Sequence, residues 1–390
     1  MAAPAPRRQR GIRSDLLWFV SLRVFSGVLS FFLFALLARW FGTGETKSLY
    51  YFLFLAGFFT SVLRALASIA ASLHGYEART TKLRRACIAF GHVVCAALAM
   101  LPVAVLVFSG LGTPLWAFAG LMGLVLFWGV DIDLVRAIVG RPSLVAVANV
   151  VGAVLTIGCL ALFRSYEGAF AAILLQWLPL CGLNAYVLFR LRRRILPLVR
   201  ATLAMRGLGV WGPLAVALFD GLVLNAPFFF GDRTPPELGR SIGVVTRIFV
   251  ATLILMPLVT YWSNGAVLTR LATRAGLSAA GVYWCLVMGS GLTAGAAFAL
   301  AFTWIAGAAP TQLELSSVFV LLLGYGCYAT AGRYRAGVSS RIVFWLVGLA
   351  LMNLLGVLTA LALDFRVLGI AMVQASSLLV AAGLMALPRR

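Results

Sequence analysis

Apolar stretches near the length of a membrane-crossing helix follow one another from residue 15 to residue 387, separated only by short polar segments. Twelve can be drawn: 15–40, 48–72, 86–108, 114–131, 143–163 and 168–189, then 208–230, 241–264, 278–303, 315–331, 341–362 and 367–387. A helix rises about 1.5 Å per residue, so roughly 20 residues cross the hydrocarbon of a bilayer. A soluble domain is about 25% charged. This chain is 11% charged and 62% hydrophobic, with a mean hydropathy of +1.01, and lacks the polar surface to stay in water. The expected fold class is an all-α membrane protein of about twelve transmembrane helices. No connecting segment is long enough for a folded domain, which excludes an appended nucleotide-hydrolysing domain, a glycosyltransferase head or a receptor ectodomain within these residues.

Basic residues set the expected orientation. The chain carries 32 Lys and Arg against 11 Asp and Glu, a formal charge of +21. Cytoplasmic loops of membrane proteins are rich in Lys and Arg, so this excess does not point to nucleic acid. With both termini cytoplasmic, twenty-three basic residues fall on the cytoplasmic side; only Arg39, Lys47, Arg164, Arg233, Arg240 and Arg366 fall on the other. The longest basic connection divides the chain nearly in half. The expected organisation is therefore a basic tail over 1–14, an N-terminal lobe over 15–189, a basic cytoplasmic linker over 190–207, a C-terminal lobe over 208–387 and a short tail over 388–390. Two six-helix halves joined by a cytoplasmic linker characterise transporters built from repeats.

Ionisable groups inside spans cost about 2.5–3.5 kcal/mol each, even on lenient insertion scales. Four stand out: Arg23, Arg64, Asp220 and Arg247. Arg23 and Arg64 lie at matching depths on consecutive antiparallel helices and can converge on one anion. Gly57, Thr60, Ser61, Ser68 and Ser72 share the Arg64 face, while Ser26, Gly27 and Ser30 share that of Arg23. Small polar stripes also serve as packing surfaces, and a long Arg stem can snorkel to the headgroups. Asp220 and Arg247 lie close enough in depth to pair or to line one cavity. Asp131, Asp133 and Arg136 close span four as a solvated helix end or as gate residues. Asn149, Gln176, Asn225, Asn353 and Gln374 read as hydrogen-bonding residues between helices.

Other patterns carry less. His74 and His92 are the only histidines, too few for a metal site or a catalytic triad, and no cofactor is expected. The GxGxxG at Gly207, Gly209 and Gly212 follows no strand, so the dinucleotide reading fails. Gly291 and Gly295 form a GxxxG suited to helix packing. No two of the six cysteines have CxxC spacing.

The segment LLARWFGTGETKSLYYFLFL (Leu36 to Leu55) resembles the first external turn of the Wzx-type polysaccharide-precursor flippases. Their superfamily also holds the MATE-type multidrug exporters and the lipid II flippase. ALFDGLVLNAPFFF (Ala217 to Phe230), followed by LGRSIGVVTRIF (Leu238 to Phe249), is similar to the start of that family's second lobe. The resemblance implies two six-helix lobes around a central cavity open alternately to each side, in a bacterial inner membrane. It implies a polyprenyl-diphosphate-linked glycan as substrate, the lipid bilayer and other glycan-assembly membrane proteins as partners, and no enzymatic step. Arg23 and Arg64 would then attract the diphosphate, and Asp220 and Arg247 would respond to the sugar or to a coupling ion. A small-molecule or drug exporter of the same fold, an intramembrane enzyme of surface-glycan assembly and a non-transporting scaffold are the competing readings.

Overall fold

The computed structural model describes residues 7–73, 113–128, 143–183, 211–256, 266–334 and 340–386, with positions 104, 185, 186, 189 and 259 between them. The chain is an all-α membrane protein, and no strand occurs among the described residues. The helices are α1 (Arg7–Trp40), α2 (Thr43–Leu73), α3 (Leu115–Trp128), α4 (Ser143–Leu162), α5 (Tyr166–Leu175), α6 (Trp211–Asn225), α7 (Pro236–Thr252), α8 (Ala266–Ala275), α9 (Ala279–Ala306), α10 (Gln312–Tyr334), α11 (Ser340–Ala362) and α12 (Val367–Ala386). Six described segments are long and apolar enough to cross a membrane: Leu144–Leu162, Tyr166–Leu183, Ala279–Ala306, Gln312–Gly332, Trp345–Ala362 and Val367–Ala386. Their outer surfaces keep large apolar side chains in the open, as lipid as solvent allows. Trp304 is 84% exposed near the end of α9 and Trp345 60% exposed near the start of α11. Both stand near the ends of apolar helices, as aromatic residues commonly do at a membrane interface.

Local chemistry explains the helix ends. Ser165 and Ser278 each accept a hydrogen bond at 3.1 Å from the backbone N–H three residues on, capping α5 and α9. Thr311 and Glu314 form a reciprocal capping box at the head of α10, at 2.7 and 3.3 Å. Gly307, with φ at 75°, ends α9 in the left-handed conformation that a side chain disfavours.

Among the boundaries that differ from expectation, two do so through proline. The stretch expected as one span over 208–230 leaves the α-helix at Asn225 and continues as a 3-10 segment, Ala226–Arg233. Pro227 has no N–H to give the carbonyl of Val223, so the α-ladder breaks there. Gln374 on α12 makes good the loss: its Nε2 donates to the Val223 carbonyl at 2.7 Å and to that of Leu224 at 3.2 Å. Asn353 Nδ2 approaches the same Val223 carbonyl at 3.5 Å, and Ser377 Oγ donates to Asn353 Oδ1 at 3.1 Å. Gly231–Arg240 reads in sequence as the longest connection on its side. In the structure α7 already starts at Pro236, because proline suits the first helical position, and the connection shrinks to Thr234 and Pro235.

Within the first half, α1 packs on α4, α4 on α5, and α3 on both α2 and α5. Within the second half, α10 packs on α12, α11 on α6 and α12, and α7 on α9 and α10. Gly291 and Gly295 receive Leu322 of α10 and Thr252 of α7, the close packing expected of a GxxxG. The halves meet along a seam. There α2 lies against α6, the 3-10 segment and α7, while α1 lies against α9.

Candidate functional site

The seam and the adjoining core of the second half hold the ionisable groups that the structure places in detail. Arg247 projects from α7 toward the first half. Its guanidinium carbon lies 5.7 Å from the centre of the Phe34 ring on α1, and Tyr50 of α2 is its electrostatic neighbour. Phe34 and Tyr50 stack with centroids 3.6 Å apart, and the Tyr50 hydroxyl donates to the Phe34 carbonyl at 3.1 Å. The Nε of Arg247 is buried and meets no acceptor. Cation–π contact stabilises a guanidinium by about 0.5–2 kcal/mol but supplies no oxygen for its N–H groups.

Asp220 lies deeper in the second half, on α6. The Tyr328 hydroxyl of α10 hydrogen-bonds to its carboxylate, and Tyr325, one helical turn away, shares its field. The other oxygen, Oδ1, is buried without a partner. The pairing of Asp220 with Arg247 that their depths allow is not formed. Arg247 faces the first half, whereas Asp220 faces α10. Each is held among aromatic rings with one polar atom unanswered.

Arg23 lies in α1 and Arg64 in α2, both helices of the first half, and α2 is the helix that forms much of the seam. Asp131, Asp133 and Arg136 lie outside the described residues, as do the linker over 190–207 and the expected span over 86–108 apart from Ala104. Of the polar residues expected to bond between helices, Gln176 donates to Ser30 Oγ at 2.9 Å, while Asn353 and Gln374 serve the break in α6. Asn225 instead donates within its own helix, to the Gly221 carbonyl at 2.8 Å. No group of three His, Cys, Asp or Glu able to hold a metal occurs among the described residues.

Sequence reasoning missed the tyrosines at both sites and the role of Lys47. Lys47 donates from Nζ to the Thr234 carbonyl at the end of the 3-10 segment, and its ammonium lies 5.8 Å from the centre of the Tyr51 ring. Burial pulls the Lys47 ammonium below the ordinary lysine range, and the Asp232 carboxylate opposes that shift. The one available signal was its position: a lysine on the side that basic residues otherwise avoid.

No family model matches the chain, and no curated protein matches it. Among solved structures it is similar to one titled as the crystal structure of MATE in complex with MaL6. The TM-score is 0.43 and the identity 13%, over 95% of this chain and 94% of that one.

Proposed function

We propose that this chain is a membrane transporter that moves a lipid-linked oligosaccharide, a glycan on a polyprenyl diphosphate, between leaflets by alternating access. The moving parts are two six-helix halves, 15–189 and 208–387, around a central cavity, with 190–207 as the linker. The observation that carries this reading is the pair of buried, incompletely partnered charges, Arg247 at the seam and Asp220 beside it. A static bundle gains nothing from an ionised group left without its hydrogen bonds, which costs about 1–3 kcal/mol or more. A charged ligand that enters and leaves supplies the missing partner for part of the cycle.

The chemistry fits an anionic head on a lipid. Arg23 and Arg64 bring two guanidinium groups from the first half, and guanidinium matches phosphate oxygens with paired donors. Arg247 and Asp220 meet the sugar or a coupling ion from the second half. The polyprenyl tail stays in lipid at the edge of the seam. The membrane is the bacterial cytoplasmic membrane with both termini inside, which the distribution of basic residues supports.

The test is lipid-linked sugar in cells lacking this chain. Precursor building up on the cytoplasmic leaflet, with less surface glycan, is the expected result, and Arg23→Ala with Arg64→Ala should fail to restore export although the protein inserts. Normal glycan export without the chain would refute the reading. In that case the second reading, a small-molecule exporter, takes its place. Its coupling acid would be Asp220, whose open carboxylate oxygen can take up a proton or cation.

A further inference from the structure

Both halves contribute to a cluster at one end of the seam, the face bearing Glu45, Asp232 and Glu237, all exposed. Two cations of the first half reach helical C-termini of the second. Lys47 donates to the Thr234 carbonyl, and Arg39 Nη1 donates to the Ile305 carbonyl, in the last turn of α9, at 3.3 Å. Terminal carbonyls of a helix lack intrahelical donors and carry partial negative charge, so a cation is a natural partner for each. Directly inside lies an aromatic plug. Phe228 of the 3-10 segment stacks on Phe54 at 4.5 Å and meets Tyr51 edge-on at 4.9 Å, and all three rings are buried.

Two features suit this cluster to opening. The surfaces touch through side chains: the Lys47 stem lies over Gly239 and the Tyr50 ring over Gly243, one turn apart on α7. The segment carrying Phe228 and capped by Thr234 is 3-10, contains Pro227 and a non-helical residue at Phe230, and is followed by Pro235. Such backbone shifts with fewer α-helical hydrogen bonds to break.

We infer that this cluster is a reversible gate, latched by Lys47 and Arg39 on the carbonyls of Thr234 and Ile305 and plugged by Tyr51, Phe54 and Phe228. The inference rests on the transporter reading but names which contacts must part for the seam to open at this face. Asp232 serves the latch by offsetting the desolvation of Lys47, so Asp232→Asn should loosen it.

The test reads opening without transport. In a chain whose six cysteines are replaced by alanine, Phe228→Cys is exposed, in vesicles of either orientation, to a membrane-impermeant maleimide. Phe228 is 0% exposed, so labelling should be slow and confined to the Glu45 face. Adding Lys47→Ala should raise its rate about fivefold, since loss of a partly exposed hydrogen bond of about 1 kcal/mol shifts an equilibrium by about that factor. Gly243→Ala, which drives a methyl group into the Tyr50 ring, should raise it further. Leu378→Cys, in the core of the second half and 1% exposed, should stay protected in every variant. Protection of the Phe228→Cys thiol unchanged by Lys47→Ala would overturn the gate. So would labelling that rises equally in the Leu378→Cys chain, which means general loosening. Opening at position 228 in a chain whose loss leaves glycan export normal would keep the gate and refute only the substrate.

Discussion

Inside each half one pair of segments comes close enough to touch backbone to backbone; at the two close glycine contacts across the seam, the partners are side chains. In the first half, a methyl group at Gly152 of α4 would collide with the main-chain carbonyl of Gln176 just beyond α5. In the second half, one at Gly324 of α10 would sit 3.0 Å from both the Cα and the carbonyl oxygen of Ala375 on α12. Across the seam the partners of Gly239 and Gly243 are a lysine stem and a tyrosine ring. The carbonyls freed at the break in α6 are answered by Gln374 and Asn353 from the same half, whereas Arg247, facing the other half, keeps an unanswered Nε. On the proposed transporter reading, the backbone contacts hold each half together and the side-chain contacts at the seam are the ones that part.

Substitutions at the close contacts test the division first. Gly152→Ala should have the largest effect, because a main-chain carbonyl cannot rotate away; overpacking of this kind costs about 1–3 kcal/mol or more. A clear drop in the thermal midpoint of the purified protein checks this. Gly239→Ala should cost less, since the atoms it meets belong to a flexible lysine stem that can shift. Equal midpoints for the two would break the comparison.

Gln374→Leu comes next. It strands the Val223 carbonyl in an apolar interior, a loss of about 1–3 kcal/mol, again read as a fall in thermal midpoint. A variant as stable as the parent would mean that Asn353 alone satisfies that carbonyl.

Arg247→Met should act in the opposite direction. Replacing an incompletely paired buried charge with an apolar chain of similar volume is neutral or stabilising by about 1–4 kcal/mol. The thermal midpoint should hold or rise while export in cells fails. A loss of stability would place Arg247 among the structural residues.

Lys47→Ala should have the smallest effect on stability, within about 1 kcal/mol, because one partly exposed hydrogen bond is lost. Its effect belongs in the accessibility of Phe228 at the seam.

Much of the fold was legible in the sequence because lipid imposes a length and a composition on every span. The expected stretches 143–163, 341–362 and 367–387 match α4, α11 and α12 to within a residue or two at either end. The break in α6 was less so. Pro227 was visible, but the repair by Gln374 depends on α12 lying against α6, and uniformly apolar helices do not announce their neighbours. The site was legible only as a list of charges. Depth along a helix follows from residue count, so Asp220 and Arg247 looked able to pair. Rotation about the axis does not follow, and it sends one toward Tyr328 and the other toward Phe34 and Tyr50. Lys47 was counted as an ordinary loop residue because its partner is a carbonyl, which every residue has.

The most direct measurement is a pair of spin-label distances in nanodiscs, recorded with and without a polyprenyl diphosphate. One pair, Glu45→Cys with Glu237→Cys, spans the seam; the other, Gln312→Cys with Arg366→Cys, stays within the second half, and all four positions are exposed. The account predicts two distances for the first pair, with populations that shift when the diphosphate is added, and one unchanging distance for the second. A single distance for both pairs, unmoved by the diphosphate, would contradict it.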